Sequence, residues 1–291
     1  MLGYKSRNAY YNQLKSNVKN LAIEQFVMEQ VKEKRREQSR VGTRKIYLDI
    51  KQNLEKNGIK IGRDKLFKIL KDNDLLIKPK KKYTKTTDSY HHFYKHKNTI
   101  KNMTIDCPEK VWVADITYIK IKNEHAYLFL ITDAYSRKIV GWNLDTNMRV
   151  SDGIKALKMA VKNREYDGQL YHHSDRGIQY CNPRYIEQLQ KHNIIPSMTD
   201  KDHVYQNSLA ERVNGILKQE FDIDIGFDSL KEARFVIKYV IDIYNNKRRH
   251  TSLHYLTPNF VHLNPILNHS KKWGQSALNF FMTGHSNPFF L

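Results

Sequence analysis

Val111-Trp-Val-Ala-Asp-Ile-Thr-Tyr-Ile119 is a run of aromatic and β-branched side chains broken at Asp115 by a carboxylate. Such residues fit a pleated, half-buried surface, and the run predicts a strand. Further on, Ala126-Tyr-Leu-Phe-Leu-Ile-Thr132 is nearly continuous in apolar residues, as a strand covered on both faces is. A third strand is expected over 138–144, after a turn around 134–137. A helix follows over 150–163, with Ile154, Leu157, Met159, Ala160 and Val161 apolar. Short strands are expected at 170–173 and 194–197, and closing helices over 208–221 and 231–245. This order describes an α/β domain built on a mixed five-stranded sheet with flanking helices.

Toward the N-terminus the pattern turns helical. Ile23, Phe26, Val27 and Val31 predict a helix over 21–37, and Ile46, Ile50 and Leu54 a second one that starts at Gly42-Thr43 and ends at Asn57-Gly58. Leu66, Ile69 and Leu70 share one face of a third helix over 63–72. Three short helices with a basic third one resemble a helix-turn-helix domain, in which Arg63, Lys65 and Lys68 would contact DNA. A helical bundle that only positions the core fits the same spacing. Residues 81–106 read as a polar, basic linker. His91, His92 and His96 lie within it without a Cys-x-x-Cys partner, so solvated linker histidines are expected there and not a zinc site. Residues 264–291 end in aromatics (Phe280, Phe281, Phe289, Phe290), and their role is not assigned.

Charge points to a polyanionic partner. The 291 residues carry a formal +20, and the excess is uneven: 25 Lys/Arg against 10 Asp/Glu in residues 1–100, then 25 against 20 in the remainder. The front third is therefore the expected phosphate-binding part. No apolar run approaches the ~18–20 residues that span a bilayer, and the first residues do not read as a signal peptide. Cys107 and Cys181 cannot make a disulfide framework or a four-cysteine zinc site. A cytoplasmic, nucleoid-associated protein with reduced thiols is expected.

Three carboxylates fall at positions that invite chemistry. Asp115 sits inside a strand, where a carboxylate is costly unless hydrogen-bonded or metal-bound. Asp175 follows a short strand and precedes Arg176-Gly177, which also suits an ordinary turn. Glu211 lies in a first helical turn, where Ser208-Leu-Ala-Glu211 also fits a capping box. Together, two strand positions and a helix terminus can converge hard oxygen ligands of the kind Mg²⁺ or Mn²⁺ requires.

Trp112-Val-Ala-Asp115-Ile-Thr-Tyr118, His172-His-Ser-Asp175-Arg-Gly177-Ile-Gln-Tyr180 and Ser208-Leu-Ala-Glu211-Arg-Val-Asn-Gly215-Ile-Leu-Lys218 resemble the catalytic motifs of DDE transposases. The 35 residues between Asp175 and Glu211, and a lysine seven residues after the glutamate, are similar to the insertion-sequence-three family and to retroviral integrases. Asp133-Ala-Tyr-Ser-Arg137, Tyr244-Asn-Asn-Lys-Arg-Arg-His250 and the Gly42 and Gly62 stretches extend the resemblance over residues 1–263. At Arg249 the sequence departs from the family, which usually has proline there.

The resemblance implies an RNase H-like catalytic core over 107–263, preceded by a helix-turn-helix-like domain (1–80) and the linker. It implies two Mg²⁺ or Mn²⁺ ions per active site, with Asp115 bridging both and Asp175 and Glu211 completing one site each. Lys218, about two helical turns from Glu211, would reach a DNA phosphate. Implied partners are double-stranded DNA (terminal inverted repeats and target), further copies of the chain in a synaptic complex, and an upstream helix-turn-helix product or frameshift fusion; no membrane is implied. A metal-dependent nuclease on the same fold, without strand transfer, stays open.

Overall fold

Strand β1 (Val111–Ile121) alternates its side chains between two helical layers. The even residues Trp112 and Ala114 are buried on one face, and the odd residues Ile119 and Ile121 on the other. In this computed structural model the described residues are 6–78, 92–122, 124–200 and 207–265. They divide into two units, one within Met1–Lys80 and one within Lys81–Leu278. His91 and the aromatic tail from residue 266 onward lie outside the described residues.

In the larger unit β1 pairs antiparallel with β2 (Glu124–Asp133), which pairs antiparallel with β3 (Ile139–Asp145). On its other side β1 runs parallel to β4 (Leu170–Ser174), and β4 parallel to β5 (Ile194–Met198), giving the order β3-β2-β1-β4-β5. The mixed five-stranded sheet read from the sequence is present, with β1 and β2 two residues longer at their shared end, where exposed Glu124 and His125 hid the alternation. Helices α4 (Val150–Lys162), α5 (Ile178–Cys181) and α6 (Pro183–Lys191) cover one face, around Phe129, Leu157, Tyr185 and Leu189. Helix α4 lies so close to β3 that a Cβ on Gly141 would collide with the Ala156 carbonyl oxygen. Helices α7 (Ser208–Glu220) and α8 (Leu230–Asn246) cover the other face, through Val213, Leu217, Ile237 and Tyr244. A short α9 (Pro258–Leu263) is capped by Thr257, whose hydroxyl accepts from Phe260 N.

The smaller unit has its own core of Val27, Val31, Ile46, Ile50, Leu54, Leu66, Ile69 and Leu70. Truncating one of these to alanine costs about 2–5 kcal/mol. Helix α2 (Thr43–Lys56) and helix α3 (Arg63–Asp72) fall where the apolar spacing puts them. Helix α1 (Arg7–Glu37) starts fourteen residues before the expected Leu21. Ser6 caps it, its hydroxyl accepting from Ala9 N at 3.1 Å. The added turns expose Leu14 and Val18, so burial leaves no periodic signature there. Among the described residues no helix is long and apolar enough to cross a membrane.

Candidate active site

Asp115 lies mid-strand in β1 with its side chain on the α7 face. Its Oδ1 accepts from Ile116 N at 2.9 Å and its Oδ2 from Asn214 Nδ2 at 2.7 Å. β1 and β4 place Trp112 beside His172 and Val113 beside His173. Asp175 follows directly on the end of β4, next to β1, and its charge acts on Asp115. Two neighbouring carboxylates oppose each other's ionisation, and the Asp115 pKa is pushed up to about 7. Burial contributes most, then the charge of Asp175, with Glu211 adding least; the Asn214 and Ile116 hydrogen bonds pull the other way.

Asp175 is oriented by its own turn. Its Oδ1 accepts from Gly177 N at 2.9 Å, and a Cβ on Gly177 would stand 2.9 Å from that same oxygen. A side chain at 177 would therefore push the carboxylate out of place. The histidines just before it are scaffolding. His172 Nε2 meets Tyr185 OH at 3.0 Å and burial lowers its pKa to about 3, so the ring is neutral. His173 Nδ1 meets Ser197 Oγ at 3.0 Å.

Glu211 stands exposed in the first turn of α7, where the helix dipole favours a negative charge. The capping box read at Ser208 is not formed. Ser208 lies inside the helix, the N-cap is Asn207, and no side chain caps α7. Asn207 Nδ2 is used elsewhere: it donates to Ala114 O at 3.0 Å, tying the start of α7 to the strand that carries Asp115. One turn past Glu211, Asn214 makes the bond to Asp115. Lys218 follows one turn later, half-buried; burial lowers its pKa against the charges of Asp224 and Asp115. Glu211, Asn214 and Lys218 thus follow one another at helical spacing. Asn207 and Asn214 were not read as site residues. Asn214 carries a signal, being three residues from Glu211, whereas the role of Asn207 depends on strand placement alone.

Residues 106–203 and 192–258 match two descriptions of the integrase core domain. The insertion element IS600 uncharacterized 31 kDa protein of Shigella sonnei is 34% identical over 258 residues, 87% of this chain and 93% of that protein. Transposase InsF for insertion sequence IS3A of Escherichia coli is 34% identical over 152 residues, 52% of this chain and 53% of that protein. The chain belongs to the DDE transposases of the insertion-sequence-three family. A putative transposase for IS986/IS6110 of Mycobacterium tuberculosis strain H37Ra is 35% identical over 148 residues, 48% of this chain and 53% of its own length. Both transposases named are therefore matched over about half their length. Among solved structures, the HTLV-2 integrase catalytic core domain in complex with magnesium (trimeric form) is 18% identical, with a TM-score of 0.43 over 54% of this chain and 97% of that one.

The donor set of this family member suits a hard divalent cation in part. Asp115 and Asp175 are carboxylates near enough for the charge of Asp175 to oppose ionisation of Asp115, and carboxylate oxygens are the donors that such a cation takes. Among the described residues no three carboxylate, imidazole or thiol groups are close enough to hold one ion. Asp115, Asp175 and Glu211 therefore do not stand close enough together to share one ion. In the smaller unit Arg63, Lys65 and Lys68 all lie on the exposed side of α3. Arg63 pairs with Asp64 at 3.0 Å and Lys65 with Glu24 at 3.8 Å.

Proposed function

We propose that this chain cleaves DNA strands at the ends of an insertion sequence and joins them to target DNA, with Asp115, Asp175 and Glu211 as the metal-binding trio. The burial of Asp115 in the strand and its nearness to Asp175, which in that order push the Asp115 pKa up to about 7, carry this reading. Two Mg²⁺ or Mn²⁺ ions held there would supply an activated water or 3′-hydroxyl and neutralise the leaving 3′-oxygen. The side chains do the positioning. Asn214 fixes one Asp115 oxygen and leaves its remaining lone pairs for a cation. Gly177 keeps Asp175 turned inward. Glu211 closes the site from the helix, and Lys218 holds a phosphate beside the scissile bond.

The substrates in this reading are terminal inverted repeats and target duplex, bound by several copies of the chain in a synaptic complex. An upstream helix-turn-helix product or a frameshift fusion would supply further end recognition. The smaller unit grips DNA through α3, and its domain span is 1–80, followed by the 81–106 linker, the 107–263 core and the 264–291 tail. Incubating the full chain with duplexes cut from the element's ends and a plasmid target, in Mg²⁺, tests the proposal. Joined products are expected. Nicked but never joined DNA would make the chain a nuclease on this fold, and intact DNA would remove the catalytic role.

A further inference from the structure

We propose that Arg248 is a positioning residue for the active site, acting through Glu220 to set where α7 presents Glu211, Asn214 and Lys218. Arg248 Nε donates to Glu220 Oε2 at 2.8 Å and its Nη2 to Glu220 Oε1 at 2.6 Å, a two-bond fork that fixes both distance and direction. The guanidinium is buried, with 3% of its side chain exposed against 21% for Glu220. Glu220 is the last residue of α7, the end at which the helix dipole opposes a negative charge. Its carboxylate does not serve the helix by itself. With Arg248 in place it anchors that end of α7 to the end of α8.

The anchor point is itself fixed to the sheet. Arg248 N and Lys247 N both donate to Ile243 O, at 2.9 and 2.8 Å, closing the end of α8. The Arg248 guanidinium lies 5.8 Å from the centre of the Tyr244 ring. Next to Tyr244, Asn245 clasps the backbone of edge strand β3: Ile139 N donates to its Oδ1 and its Nδ2 donates to Ile139 O, each at 2.9 Å. The contacts close a ring: β3, Asn245, Arg248, Glu220, α7, Asn214, Asp115 in β1, and back across β2. Asn207 and Asn214 hold the active-site end of α7, and the Arg248 fork holds the other. Val213, Ile216 and Leu217 pack α7 onto the sheet, and the polar ties at its two ends set its axial position, keeping Glu211 and Lys218 in register with Asp115.

The proposal rests on the strand-joining chemistry above, and its test separates the two. Single-turnover joining at saturating end-DNA in Mg²⁺, DNA dissociation constants and urea midpoints are measured for the full-length parent, R248M, R248K, E220R/R248E and the core variant V261A. We expect R248M to join at least tenfold more slowly at saturating end-DNA, with a loss of DNA affinity no larger than that of Lys218→Ala. R248K, which keeps charge but loses the fork, falls between. The reversed pair recovers most of the rate, and V261A, destabilised without touching α7, joins as the parent does. A rate loss in R248M that only tracks its urea midpoint, as in V261A, overturns the proposal; so does a reversed pair that recovers stability without rate. If the parent joins no DNA, the chemistry fails and the anchor is read from amide exchange without metal. Faster exchange over 214–218 in R248M, restored in the reversed pair, upholds it, and unchanged exchange overturns it.

Discussion

Asn214 Nδ2 donates to Asp115 Oδ2 at 2.7 Å, so the helix that carries Glu211 also holds the strand carboxylate. The bond stabilises the ionised form of Asp115. Removing it with Asn214→Leu raises the Asp115 pKa further above about 7. A hydrogen bond to a charged group is worth about 1.5–3 kcal/mol, or roughly 1–2 pH units. The rising limb of the joining rate against pH should move up by about that much. A slower variant with an unmoved limb would mean that Asn214 works on something other than Asp115.

The raised Asp115 pKa also sets a stability profile in the absence of metal. Its folded value, about 7, lies above the ordinary aspartate value of 3.8, so the folded state holds the proton more tightly. Stability from this group is present below the unfolded pKa and is lost as pH rises toward about 7. If Asp115 holds the cation as proposed, Mg²⁺ should reverse the loss by pairing with the ionised form. Its upward shift of the thermal midpoint should be larger at pH 8 than at pH 5, and D115N should show neither the decline nor the shift. Equal Mg²⁺ shifts at both pH values would argue that the cation binds elsewhere.

The helices α2 and α3 were legible because burial imposes a period of nearly four on them, and β1 and β2 because strands covered on both faces read as runs of aromatic and β-branched residues. The carboxylates were legible for the converse reason: Asp115 breaks a strand pattern that has no other cause to break. What stayed hidden depends on tertiary placement. The first half of α1 buries nothing, so only the Ser6 cap marks where it starts. Ser208-Leu-Ala-Glu211 fits a capping box locally, yet Asn207 takes the N-cap position and spends its side chain on Ala114 O. The bond from Arg248 to Glu220 joins residues 28 apart, and no local rule links them.

Lys218 should act on DNA and not as a metal ligand, because an ammonium cannot coordinate a cation. Lys218→Ala should weaken end-DNA binding and lower the salt slope by about one contact, while Lys218→Arg is largely tolerated. Titrating end-DNA at several salt concentrations checks this. An alanine variant with the parent's affinity and slope would remove the DNA contact.

On α3 the exposed lysines should matter unequally. Arg63 and Lys65 are partly neutralised by Asp64 and Glu24, whereas Lys68 and Lys71 also stand exposed on that helix. Surface ion pairs are worth about 0–1 kcal/mol, so the ranking is modest. Duplex binding by residues 1–80 should fall steeply with salt, and K68A/K71A should weaken it more than R63A/K65A. A fragment that ignores DNA at low salt would make this unit a protein-interaction module.

The trio itself is tested most directly by amide substitution. Asp115→Asn, Asp175→Asn and Glu211→Gln keep shape and remove the charge that the cations need. Each should lower joining of end-DNA in Mg²⁺ by at least a thousandfold, within the range over which metal-assisted phosphoryl transfer depends on its ligands, with circular dichroism and DNA affinity close to the parent's. Any one of the three that joins DNA at near the parent's rate is not a metal ligand, and if that residue is Asp115 the account of this site is wrong.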